Sequence, residues 1–189
     1  EYCQGGSLED LRQNRGGRMP LAEAGAFMLQ SLDGLAYVHQ RGFVHRDLKP
    51  HNILLNNGNG QWTAKIADLG LARNFERAGF SGLTATGSYA GSYPFMPREQ
   101  LTNFKYFKPV SDVWAMGATL YYLLTGEVPY NFQPKQDPVA VILKGAVVPI
   151  RQRITRLPGR VADVIDRALA IDLKHRYQDA AELRHALEQ

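Results

Sequence analysis

The spacing of apolar positions changes along the chain, and each change marks an element. "GGSLEDLRQN" places two glycines and Ser7 ahead of the first apolar periodicity, with Asp10 three residues on. That is a variant of the capping box and predicts a short helix. Beyond Pro20, apolar or small residues recur every three or four positions at Leu21, Gly25, Met28, Leu32, Leu35 and His39, until Gly42 ends a longer helix. "FV" and "ILL" then read as two short buried strands on either side of "HRDLKPHN". The Asn-Gly pairs in "NNGNG" are hairpin signals, so "ILL" and "TAKIA" should pair as antiparallel strands. A Gly/Ser/Thr-rich stretch after Asp68, over 69–97, lacks periodicity and exceeds the ~12–15 residues of an ordinary loop, which marks it as functional or disordered. Helices are predicted over 111–125, 138–145, 161–170 and from 179 to the end, with no internal repeat or low-complexity tract.

The window 113–124 has Thr119 as its only polar member and falls short of the ~20 residues that span a bilayer. It reads as a helix buried on all sides. The fold class is therefore α+β, mainly α: a helical domain with one small β-hairpin. A length of 189 residues with 44% apolar content suits a single domain, 1–189. The net charge of +4, from 22 basic and 18 acidic residues spread along the chain, gives no sign of a nucleic-acid arm or a membrane patch. A single cysteine, Cys3, excludes an internal disulfide and a CxxC metal site, and suits a reducing, cytoplasmic compartment. No signal peptide is legible, and a first residue of Glu1 instead of Met suggests a fragment or a processed end.

Polar residues inserted between short apolar runs suggest a site. Asp47 and Asn52 lie on the loop that enters the hairpin, and pairing of the two strands would bring Asp68 back beside it. Two carboxylates and an amide suit a hard cation such as Mg²⁺. Lys49 can neutralise a phosphate there, while a carboxylate accepts the proton of a hydroxyl nucleophile. The set fits phosphoryl transfer better than glycoside hydrolysis, which needs two carboxyls and neither lysine nor metal. The bland alternative is a salt-bridged loop, since an isolated Asp or Lys is usually just solvated.

"HRDLKPHN" at 45–52 followed by "DLG" at 68–70 resembles the catalytic loop and metal motif of eukaryotic-like, bacterial-type Ser/Thr protein kinases. "EYCQGGSLEDL" resembles the hinge and first helix of their large C-terminal lobe. "SDVWAMGATLYYLLTGEVPY" resembles its buried central helix, in which Asp112 takes a structural part, and "IDLKHRYQDAAEL" its closing arginine motif. The resemblance runs over essentially the whole chain. It implies that Asp47 orients and deprotonates the acceptor hydroxyl, that Lys49 contacts the γ-phosphate of ATP, and that Asn52 and Asp68 hold Mg²⁺ or Mn²⁺. It further implies protein substrates with Ser or Thr acceptors, because Lys49 is normally replaced in tyrosine kinases. The backbones of Glu1 and Cys3 would pair with adenine above Leu54, although Cys3 also reads as a small buried apolar residue. His45 would pack beneath the loop.

"DLG" in place of "DFG" keeps the metal ligand, and "PRE" at 97–99 keeps Glu99, the usual buried partner of Arg176. In the family, an arginine beside the catalytic aspartate, here Arg46, marks control by phosphorylation of the long loop. "LTATGSYAGS" resembles the bacterial Thr-x-Thr pattern and nominates Thr84 and Thr86, with Ser92 structural. No Gly-rich loop, Val-Ala-Ile-Lys-like strand or glutamate-bearing helix precedes Glu1. The expectation is a large lobe whose partner is the N-lobe of a parent chain, inactive alone, with a membrane anchor elsewhere in the parent left open. A truncated pseudokinase acting as a binding or scaffold module is the alternative.

Overall fold

The computed structural model describes residues 3–58, 60–69, 93–102 and 108–189. The capping box forms: Ser7 Oγ accepts the Asp10 N–H at 3.2 Å, and the Asp10 carboxylate accepts the Ser7 N–H and hydroxyl at 2.7 Å each, opening α1 (Leu8–Asn14). α2 (Leu21–Gln40) buries Ala24, Phe27, Met28, Ser31, Leu32 and Leu35, the stripe that the three- and four-residue spacing predicts. β1 (Ile53–Gly58) and β2 (Gln61–Ile66) pair antiparallel, from Ile53 opposite Ile66 to Gly58 opposite Gln61. Residues 5–7 lie along the free edge of β1, where Gly5 N donates to Leu55 O at 2.9 Å and Leu55 N to Gly6 O at 2.8 Å.

"FV" is not a strand. Gly42 takes a φ of 76°, and the Phe43 N–H donates to Val38 O at 3.2 Å, so this backbone finishes α2 instead of joining a ladder. Phe43 is left 52% exposed, against the burial that the apolar run predicts.

The rest is helical: α3 (Arg98–Thr102), α4 (Pro109–Thr125), α5 (Pro138–Lys144), α6 (Gly159–Ala168) and α7 (Ala180–Glu188). α4 starts two residues before the predicted boundary because Pro109 needs no backbone donor at its first turn. Every residue from Val110 to Tyr121 is buried, which makes α4 the axis of the core. At Gly117 a Cβ would sit 2.8 Å from the Ala168 Cβ, so a glycine here lets α6 close onto α4. No helix among the described residues is long and apolar enough to cross a membrane.

Two ionic clusters fasten the helices. Arg176, 1% exposed, donates to Glu99 of α3 at 2.6 Å, to Val110 O at 3.0 Å, and to Ala170 O at 2.8 and 3.0 Å. Ser111 Oγ adds a bond to the same Glu99 oxygen at 3.2 Å. The guanidinium thus joins α3, the start of α4 and the segment after α6. Removing one partner leaves the other charge buried, so Glu99→Gln or Arg176→Met should each lower unfolding stability by about 3 kcal/mol. Urea titration reads the loss as a fall in midpoint without a change in slope.

The second cluster lies between α1 and α4. The buried Glu9 carboxylate takes both arms of Arg12, at 3.0 and 2.7 Å, and the Gln13 amide at 2.9 Å, while Arg12 stacks 4.3 Å over the Tyr122 ring. Burial pushes the Glu9 carboxyl up, but hydrogen bonds from Arg12 and Gln13, together with the Arg12 charge, outweigh it and hold it below the usual carboxylate range. A lowered folded-state value means that this stabilisation is complete above the unfolded value of about 4.3 and is lost as pH falls through the folded one. Denaturant midpoints of the wild type and Glu9→Gln should therefore converge as pH drops below about 4.3 and stay apart at neutrality.

Candidate active site

The loop between α2 and β1 hangs from one carboxylate. Asp112, 1% exposed at the start of α4, accepts the His45 N–H on Oδ2 at 2.8 Å and the Arg46 N–H on Oδ1 at 2.9 Å. Both successive amides reach one side chain because Arg46 takes a φ of 75°, a left-handed conformation that costs a non-glycine residue roughly 1–2 kcal/mol. From the other side, Gln100 Nε2 of α3 donates to Arg46 O at 2.9 Å. His39, the penultimate residue of α2, adds a third contact to the Asp112 carboxylate, at 3.0 Å from Oδ2.

His45 is buried beneath the loop. Its Nε2 lies 2.7 Å from Ala67 O, an acceptor only, so that nitrogen carries the proton. Nδ1 is left to face the Asp47 N–H at 3.4 Å. The imidazole thereby ties the loop to the residue just before Asp68. A backbone bond from Ala67 N to Asn52 O at 2.9 Å makes the same connection from the hairpin side.

At the centre, Asp47 Oδ2 accepts from Lys49 Nζ at 3.0 Å and from Asn52 Nδ2 at 3.0 Å, while Oδ1 has a longer contact to Lys49 at 3.4 Å. Asn52 Nδ2 also donates to Asp47 O at 2.7 Å. Both amide hydrogens of the buried Asn52 are thus committed, and its Oδ1 is the atom that remains to meet a cation. Asp68 follows at φ 62° and is exposed. One amide oxygen and one carboxylate fit Mg²⁺, a hard ion that takes few protein oxygens and completes its octahedron with water and phosphate. Among the described residues no group of three His, Cys, Asp or Glu side chains forms an all-protein metal cage.

Asp47, Lys49, Asn52, His45 and the residue before Asp68 are joined in this network, and Glu99, Arg176 and Asp112 support it from below. Leu54 lies half-buried on β1 and bridges to Ser7, while Cys3 is half-buried. Glu1, Thr84, Thr86 and Ser92 lie outside the described residues. His39 was missed as a site residue, because in the sequence it merely continues an apolar face. The signal was an imidazole at a core position, since a buried polar ring requires partners.

Comparison with known proteins agrees with this geometry. Residues 1–187 match the family model described as protein kinase domain. The chain is 34% identical to sperm motility kinase 2B of Mus musculus over 98% of its own length and 36% of that relative's. It is 32% identical to the serine/threonine-protein kinase PknB of Mycobacterium leprae, covering 97% of the chain and 28% of the relative. It is 34% identical to PrkC of Bacillus subtilis, covering 97% and 27%. The crystal structure of the Rad53 kinase domain and SCD2 in complex with AMPPNP superposes with a TM-score of 0.76 at 25% identity, over all of this chain and 68% of that one. The chain belongs to the protein kinase family, and its helices and small hairpin have the architecture of the kinase C-terminal lobe. It spans about a third of the length of these curated relatives.

Proposed function

We propose that the chain is the catalytic lobe of a protein Ser/Thr kinase, which transfers the γ-phosphoryl group of ATP to Ser or Thr hydroxyls of protein substrates. The observation that carries this reading is the clamp on Asp47, whose carboxylate lies between Lys49 Nζ and the Asn52 amide, each at 3.0 Å. With Oδ2 held by two donors and Oδ1 met only by the longer 3.4 Å contact to Lys49, Oδ1 is the oxygen better placed to orient the acceptor hydroxyl and take its proton. Lys49 then offsets the charge of the γ-phosphate next to that hydroxyl. Asn52 Oδ1 and the Asp68 carboxylate would hold Mg²⁺, or Mn²⁺ in its place, and the bound cation neutralises charge on the phosphates.

The adenine would sit above Leu54, against the backbone of the strand-like segment at 3–7. The clamp on the α- and β-phosphates is assigned to an N-lobe of the parent protein. An apolar patch behind the loop supports this. Tyr37 is 57%, Phe43 52% and Leu69 47% exposed, and with Val38, Val44 and the Arg41 stem they line a groove of about 290 Å³. Apolar surface gathered this close to a catalytic loop is what a covering lobe would bury.

In the complete kinase, Asp47→Asn should cut turnover by about 10²–10⁴-fold with little change in melting temperature. Asp68→Asn should abolish Mg²⁺-dependent nucleotide binding, and undiminished autophosphorylation in either variant would return the chain to the binding-module reading. A separate expectation concerns the 189 residues alone. Calorimetry should find weak ATP·Mg²⁺ affinity, and a dissociation constant below about 1 μM, worth roughly −8 kcal/mol, would contradict the need for a second lobe.

A further inference from the structure

We infer that His39 is a positioning residue that couples the seating of the last helix, α7, to the geometry of the catalytic loop. That the loop is catalytic rests on the function proposed above; the coupling rests on hydrogen bonds alone. The His39 side chain is 5% exposed and is contacted at both ring nitrogens by elements far away in sequence. The Ala180 N–H donates to Nδ1 at 3.3 Å, and a backbone amide can only donate, so Nδ1 carries no proton. The proton is therefore on Nε2, which gives it to Asp112 Oδ2 at 3.0 Å. Asp112 passes the constraint on, through the N–H groups of His45 and Arg46, to the residue just before Asp47.

Neither end of this chain of bonds is incidental. Ala180 is the first residue of α7, where a helix N–H has no partner of its own. The N-cap Asp179 spends its side chain on Glu182 N, at 2.9 Å, so His39 serves an amide that the cap does not. α7 is held against the rest of the lobe by the buried Ala180 and Leu183 and by the ion pair from Arg184 to Asp33 of α2. At the other end, Asp112 is the carboxylate from which the loop hangs. A hydroxyl or a side-chain amide can also donate and accept, but through rotors that are free to turn. A neutral imidazole is a rigid ring that accepts on one nitrogen and donates from the other, which suits it to join the two. A shift of α7 along α2 would pull on the acceptor nitrogen and, through the ring, on Asp112.

Amide hydrogen exchange on the intact protein tests the coupling, with rates at His45 and Arg46 referred to the buried α2 amides of Met28 and Leu32. Leu183→Ala loosens α7 and alters neither His39 nor Asp112. It should speed exchange at His45 and Arg46 by at least about threefold. In a His39→Lys background, whose ammonium can donate to Asp112 but offers no acceptor to the Ala180 N–H, the same change should leave these two amides as they were. Arg184→Ala is the milder probe of α7 should Leu183→Ala not fold. Equal acceleration in both backgrounds, or none in either, overturns the coupling. Nitrogen-15 NMR should also find His39 as the Nε2–H tautomer, and the Nδ1–H form would overturn it. Exchange requires no phosphotransfer, so failure of the kinase reading with Asp47→Asn and failure of the coupling are separate results.

Discussion

A carboxylate buried at the base of the loop is the constraint on which the site depends. Taking Asp112 out of water without partners would cost several kcal/mol, so its oxygens must be met by N–H groups. The described residues supply two backbone amides and one imidazole. Presenting two consecutive amides to one side chain requires the chain to reverse at Arg46, which explains the left-handed φ there. The strain at Arg46 and the burial of Asp112 are therefore two sides of one arrangement, and together they fix where Asp47 emerges.

The helical scaffold serves that arrangement. α4 is buried on nearly every face and can carry Asp112 into the interior only because its neighbours close tightly around it. Gly117 admits α6, and the Arg176 guanidinium satisfies the carbonyls of Val110 and Ala170 while binding Glu99. Glu99 sits on α3 one residue before Gln100, whose side chain holds Arg46 O. A single short helix thus links the buried ion pair to the reversal in the loop. Stability of the core and position of the loop share the same residues.

Much of this was legible in the sequence, for physical reasons that differ by element. The capping box at Ser7, the three- and four-residue spacing of α2 and the Asn-Gly hairpin are local signals, and each gave the element observed. "FV" misled because two apolar residues cannot say whether their N–H groups face a ladder or a helix end; the bond from Phe43 N to Val38 O decides it. Asp47, Lys49 and Asn52 could be picked out because the chemistry lies within one short stretch. His39 could not, because its role depends on contacts with residues 73 and 141 positions away that no local pattern encodes.

The two oxygen donors assigned to the cation differ in how firmly they are held. Asn52 is buried, with both amide hydrogens bonded to Asp47, so its free oxygen has one orientation set by the same residue that would take the proton. Asp68 is exposed and left-handed in backbone, a conformation that a short polar side chain tolerates better than most. Its one described restraint is indirect, through Ala67, whose backbone bonds to both His45 and Asn52. On the proposed function, the site is rigid where the hydroxyl would be oriented and less restrained where cation and phosphate would enter. In that division Asn52 sets the geometry, and binding of the nucleotide would fix Asp68 against it.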